Sequence, residues 1–356
     1  MLHWNGTKMV VQKPRRRPYS TGDEALDARI AELATTAGFS DDSPLLQEMI
    51  TTCFRLARDN ADRGEMKLVN AALKEFAYAF KVFKGYKNYR KVGMFGSART
   101  MPDDPAYDVA KRFAAAIAAR NWMVITGAGP GIMAAGHEGA GAERSFGAAI
   151  RLPMESEPNL FIEGDAKLIN FKYFFTRKVT FLKESDGFAL LPGGFGTLDE
   201  AFELLTLMQT GKSDIHPIVL LDEPGGTYWI DWLHFVEDHL LGRGLISKED
   251  LLLMRHTETV EQAVDESVKF YANYQSQRYV DGTLVLRLLR LPPPEELEKL
   301  ALAFADILRS PRMEPMEASR REIEDGDALE LKRLALDFNQ SSFGRLRQLI
   351  DELNGY

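Results

Sequence analysis

Between Val92 and Leu221, short and almost continuously apolar runs alternate with longer stretches whose apolar positions recur every three or four residues. The runs are Val92–Phe95, Trp122–Thr126, Ala148–Leu152, Phe188–Leu191 and Ile218–Leu221. Unbroken apolar character is what parallel strands show when both faces of their sheet are covered. The intervening stretches Ala106–Arg120, Gly131–Gly141, Lys172–Lys183 and Leu198–Thr210 read as helices. Such alternation predicts an α/β fold built on a doubly wound parallel sheet. Ligands of such sheets sit at the carboxyl ends of the strands, near a switch in strand order. The turns that follow the strands are therefore the place to look for chemistry.

The flanks differ. Residues 1–22 are basic and polar, with Pro14 and Pro18, and read as a flexible arm. Residues 23–90 lack strand signals and read as a helical extension. Leu26, Ile30 and Leu33 share one helical spacing, and Pro44 opens a second segment that carries Cys53 in an apolar run, where a buried thiol is expected. A third segment, Lys67–Phe83, places Leu68, Ala72, Phe76 and Phe80 at intervals of four, a stripe expected to pack in a core or an interface. The central domain is expected over 91–272, with helices at Trp229–Leu241 and Val260–Tyr271. The C-terminal extension, 273–356, reads as a strand at Gly282–Leu291, a helix at Glu295–Leu308 opened by Pro294, and one or two charged amphipathic helices over Asp327–Leu353.

Composition narrows the field. The 356 residues are 45 % hydrophobic and 27 % charged, which suits a globular chain and excludes disorder. The net charge of −8 argues against binding nucleic acid by bulk charge. No apolar run is long enough to span a bilayer, and the basic N-terminus is not followed by a signal-type apolar stretch, so a cytoplasmic protein is expected. A single cysteine rules out an intramolecular disulfide or a cysteine-rich zinc site. The six histidines are scattered, and His234 and His239 are five apart, off a common helical face, so no metal is expected.

Three glycine-bearing turns follow strands. Pro192-Gly193-Gly194-Phe195-Gly196-Thr197-Leu198-Asp199-Glu200 opens a helix. Glycines let backbone approach a ligand closely, and unpaired amides at a helix start hold phosphate, aided by the dipole. Thr197 adds a hydroxyl. Glu200 would be repelled by that phosphate, so a cleft-facing Glu200 should meet a less charged part of the ligand, such as a sugar. Thr126-Gly127-Ala128-Gly129-Pro130-Gly131-Ile132-Met133 is the second turn. A dinucleotide site there would want an acid at the tip of the next strand, which instead ends Ile150-Arg151-Leu152-Pro153; the arginine leaves an NADP-type reading open. The third, Gly96-Ser97-Ala98-Arg99, offers amides, a hydroxyl and a guanidinium. Arg177, in Phe174-Phe175-Thr176-Arg177-Lys178, can fork onto a carboxylate, phosphate or ribose oxygen.

Taken in order, these motifs resemble the LONELY GUY (LOG) family, whose pattern P-G-G-x-G-T-x-x-E is matched in full by Pro192 to Glu200. The resemblance covers roughly residues 90–225. It implies a Rossmann-like core and hydrolysis of the N-glycosidic bond of a nucleoside 5′-monophosphate, a cytokinin ribotide or AMP-type substrate, to free base and ribose 5-phosphate, with no cofactor. It implies Arg177 and Glu200 as catalytic residues. Nucleotide binding falls to Gly96, Ser97, Arg99, Gly127, Gly129, Gly131, Met133, Lys178, Pro192, Gly193, Gly194, Gly196 and Thr197. A homodimer or larger homo-oligomer is implied as well. An older label of the family is lysine decarboxylase, yet nothing here resembles a pyridoxal-phosphate lysine site. The long helical extensions set this chain apart from compact members. A non-catalytic nucleotide or cofactor carrier on the same fold is the alternative; it would need the glycine turns but not the Arg177–Glu200 pair.

Overall fold

The computed structural model describes residues 19–36, 43–151 and 157–356. Most of the basic arm and the expected strand end at Leu152 and Pro153 lie outside the described residues. The chain divides into two compact units, 1–73 and 74–356. The first contains α1 (Glu24–Thr36) and α2 (Ser43–Arg58), and α3 (Arg63–Phe83) runs from it into the second. One expectation fails here and one holds only in part. Cys53 is exposed. Of the four-residue stripe of α3, Ala72 is buried and Phe76 half-buried, but Leu68 and Phe80 are exposed, and Ala79 and Phe83 are buried outside it.

The second unit is built on a seven-stranded parallel sheet of β1 (Lys91–Phe95), β2 (Met123–Thr126), β3 (Ser145–Ile150), β4 (Leu168–Phe171), β5 (Gly187–Leu190), β6 (Ile218–Leu221) and β7 (Arg255–Thr257). Its order is β4-β3-β2-β1-β5-β6-β7, so the winding reverses between β1 and β5. The crossover helices are α4 (Pro105–Ala119), α5 (Ile132–Ala140), α6 (Phe174–Glu184), α7 (Phe195–Gln209) and α8 (Tyr228–Phe235, continued by a π-helical turn to Leu241), and α9 (Val260–Lys269) follows the last strand. The apolar runs divide by period two. Ala189 and Leu191 pack under α4, α5 and α9, whereas Phe188 and Leu190 face α7 on the opposite side. This is the doubly wound α/β arrangement. β4 and β7 escaped the sequence reading because Leu-Ile-Asn-Phe and Arg-His-Thr are short edge strands with polar residues.

The C-terminal segment differs from the expected strand followed by helices. β8 (Tyr274–Val280), β9 (Thr283–Leu288), α10 (Pro294–Ala303), β10 (Leu308–Met316), α11 (Arg320–Asp325), β11 (Lys332–Phe338) and α12 (Phe343–Leu353) form a four-stranded antiparallel sheet, ordered β10-β11-β9-β8, with three helices. The first half of the expected amphipathic helix is thus strand β11. Leu334, Leu336 and Phe338 are buried at period two. Asp281 and Gly282, both at positive φ, close the β8–β9 hairpin, where that dipeptide suits a tight turn. One hydrophobic core runs from β5, β6 and α7 through this second sheet to α12.

Leu346 of α12 is fully buried in that shared core. Leu346→Ala should cost about 2–5 kcal/mol. In urea titrations followed both by far-ultraviolet dichroism and by tryptophan fluorescence, the two curves should shift together. Separate transitions would mean that the two sheets unfold independently.

Candidate active site

The turns after β2, β1 and β5 lie side by side, because those strands are neighbours, and they meet at the point where the winding reverses. Backbone bonds lock them to one another. Ser97 N–H donates to the Pro192 carbonyl (3.0 Å), and Ser97 C=O accepts from Ile132 N–H (3.0 Å). The Ser97 hydroxyl accepts from Arg99 N–H (3.0 Å). Approach is so close that several glycines serve loop packing. A β-carbon at Gly131, whose φ is +66°, would lie 2.3 Å from the Ser97 carbonyl oxygen, and one at Gly193 would strike Thr197. Gly96 packs on Ile132, and Gly127 and Gly129 lie under the Met133 thioether. Only Gly194 and Gly196, of this set, face open space. They are also the glycines at the start of α7, where no side chain caps the helix. First-turn amides and the helix dipole therefore point into free volume, the arrangement that takes an anion. Pro192 leads into this turn, and Tyr228 holds it by donating its hydroxyl to the Gly193 carbonyl (2.6 Å).

A cleft of about 480 Å³ opens beside these loops, walled by Ala98, Gly127–Pro130, Met133, Arg151, Glu157, Asn170 and Arg177. Arg177 reaches it from the first half of α6. The start of that helix is fastened by Glu75, whose carboxylate accepts from Lys172 N–H (2.9 Å) and from the Thr176 hydroxyl (2.5 Å). Arg177 Nη2 lies 3.5 Å from Glu200 Oε1, and its guanidinium lies over the Phe174 ring. Glu200 is only 6 % exposed. At that separation its Oε1 makes no hydrogen bond. Burial pushes the Glu200 carboxyl above the usual range, and the Arg177 and Lys178 charges only partly offset it. The result is a buried carboxylate with acceptor capacity to spare, 3.5 Å from a guanidinium that lines the cleft.

Two expected site residues stand elsewhere. Lys178 is turned to the flank of α7, paired with Asp199 (2.6 Å) and Glu203 (2.9 Å); burial alone would lower its pKa, but these two partners raise it. A residue next to Arg177 on a helix points about 100° away from it, and of the two only Arg177 lines the cleft. Arg99 is exposed and is not part of the cleft wall.

Sequence reasoning missed the support beneath the second loop. Asn159 Nδ2 donates to the carbonyls of Ala128 (3.0 Å) and Gly129 (2.9 Å), while Asn159 N–H also reaches Ala128 C=O (2.9 Å). Its amide meets His137 Nδ1, and His137 Nε2 lies 3.0 Å from both the Thr126 hydroxyl and the Phe146 carbonyl. His137 is fully buried, and burial pushes its pKa down, which keeps it neutral. Ala128 at φ +63° is held by the Thr126 hydroxyl, which accepts its N–H (3.0 Å). Nothing in the sequence connects Asn159 to a turn thirty residues earlier. Among the described residues no group of three or more His, Cys, Asp or Glu could hold a metal ion, and no helix is long and apolar enough to cross a membrane.

The family model described as "Possible lysine decarboxylase" matches residues 129–267. Cytokinin riboside 5′-monophosphate phosphoribohydrolase of Mycobacterium tuberculosis is 31 % identical over 159 residues, which cover 44 % of this chain and 82 % of that protein. The chain belongs to the LOG family. LOG1 of Arabidopsis thaliana, a cytokinin riboside 5′-monophosphate phosphoribohydrolase, is 37 % identical over 98 residues, 28 % of this chain. The chain spans about two fifths of the length of that plant relative (42 %). Among solved structures, the molybdenum cofactor carrier protein of Chlamydomonas reinhardtii matches at 20 % identity and a TM-score of 0.34, over 49 % of this chain and 94 % of that one.

The Asn159 clamp makes a direct prediction. Asn159→Ala leaves the Ala128 and Gly129 carbonyls without their side-chain donor and should cost about 1–3 kcal/mol. Denaturant titration measures the loss, and unchanged stability would show that the loop holds itself.

Proposed function

We propose that this protein hydrolyses the N-glycosidic bond of a nucleoside 5′-monophosphate, releasing a free base and ribose 5-phosphate. The observation that carries the reading is the buried Arg177–Glu200 pair set beside an uncapped helix start. A carrier would need the anion-holding turn but gains nothing from a costly buried carboxylate. The relatives named as cytokinin riboside 5′-monophosphate phosphoribohydrolases support the same reaction class.

In this mechanism the phosphate sits at Gly194–Thr197 on the first-turn amides of α7, which fixes the sugar. Glu200, one helical turn further on, faces the ribose. As the C1′–N bond breaks, positive charge grows on the sugar, and a carboxylate fixed in a poorly solvated wall stabilises it without reorganising. Arg177 keeps that carboxylate ionised and oriented. Water supplies the oxygen that C1′ gains, and its proton balance is closed by protonation of the departing base. The base occupies the cleft beside Met133, whose flexible thioether suits a flat ring.

Incubation with AMP, GMP, CMP, UMP and N6-isopentenyl AMP, followed by chromatography of the free bases, tests the proposal. One base should be released, and Glu200→Gln should lower the rate by about 10²–10⁴ while nucleotide still binds. Release unaffected by Glu200→Gln would overturn the assignment. Nucleotide binding without release of any base would leave a carrier.

The Glu200 environment fixes the direction of the pH dependence. If the carboxylate is the working form, kcat/KM falls as pH drops through the raised Glu200 pKa. The acid limb should therefore lie above the ordinary glutamate range and vanish in Glu200→Gln.

A further inference from the structure

A cavity of about 730 Å³ in the second unit lies away from the glycine turns, at the amino ends of β1, β5 and β6. Four lysines line it: Lys87, Lys91, Lys183 and Lys212. Lys183 is matched by Glu184 (2.6 Å), and Asp186 is taken up by Arg90 (3.0 Å). Lys87, Lys91 and Lys212 have no carboxylate at ion-pair distance among the described residues, and Asp214 is the one lining carboxylate not engaged by a cation. His216 adds no charge at neutral pH, because burial pushes its pKa down.

Two of the lining side chains are more than nine-tenths buried and have fewer hydrogen-bond partners than they can use. Lys91, 4 % exposed, has three ammonium hydrogens and one bond, to the Tyr89 carbonyl (2.9 Å). Ser185, also 4 % exposed, has a hydroxyl with no partner. Burying an unmatched ammonium and an unmatched hydroxyl at the same wall is costly. Burial also pushes the Lys91 pKa down, against the pull of Asp186 and Glu184. The missing element is an acceptor with negative charge.

We infer that this cavity is a second ligand site, distinct from the nucleotide cleft, and that it takes a small polyanion of the phosphate type. Lys91 would meet its inner oxygens, and Lys87 and Lys212, both exposed at the rim, its outer charge. The carboxyl end of α6 stands at the same wall and repels anions, so binding depends on the lysines and weakens steeply with salt. The inference does not rest on the proposed reaction.

Calorimetric titration of the full chain with inorganic tripolyphosphate at low salt tests it. The nucleotide cleft could take the same probe, so Gly194→Asp, which places a carboxylate at the anion-holding turn, is titrated alongside. Binding should persist in Gly194→Asp and weaken by about tenfold or more in Lys87→Glu/Lys212→Glu, whose exposed positions leave the fold intact. Lys91→Met, of similar volume, should weaken it likewise at an unchanged or raised melting temperature. No heat in the wild type, binding abolished by Gly194→Asp, or binding indifferent to the lysine changes would each overturn the inference.

Discussion

Two backbone hydrogen bonds through Ser97, one to Pro192 and one from Ile132, hold the functional end of the sheet together. They join turns that belong to three different strands, and they need main chain to lie against main chain. This is why Gly131 and Gly193 sit where a β-carbon would collide with a neighbouring loop. The start of α7, which no side chain caps, is held by this packing with Gly194 and Gly196 facing open space.

The second constraint is electrostatic. Glu200 and Arg177 come from helices on the same side of the sheet and meet in a wall where water is scarce. Arg177 stands 3.5 Å from the carboxylate, and its charge only partly offsets the cost of burying it. The exposed rings of Phe174 and Phe195 stand at the starts of the two helices that supply this pair.

The fold was legible where packing is two-sided. Continuous apolar runs identified β1, β2, β5 and β6, because a strand covered on both faces leaves no room for polar residues. It was illegible at the edges, as in β4 and β7, where one side of the strand faces solvent. In the C-terminal segment, the alternation of Leu334, Leu336 and Phe338 and the Asp281-Gly282 turn carried the strand signal, but dense charge around them gave the appearance of a helix face. Those charges are partly internal: Arg287 and Arg333 are buried against Glu322, whose carboxyl burial pushes up but whose hydrogen bonds from Arg287 and Ser319 hold at about 2. In the site, the motif placed Arg177, Glu200 and the glycine turns. It could not separate glycines that pack loops from Gly194 and Gly196, which face space, nor reveal Asn159 and Glu75, whose contacts are long-range.

The core that joins α7 to the second sheet changes what the extension is. A segment added to a finished domain could be trimmed away, leaving the older part intact. Here α7, which carries Glu200, has its inner side pressed on Phe188 and Leu190 and shares one close-packed interior with Leu336, Leu346 and Leu353. The C-terminal residues are thus the foundation under that helix. A lineage that acquired them could not later shed them without rebuilding that interior, and substitutions far from the cleft in sequence are free to tune it from below.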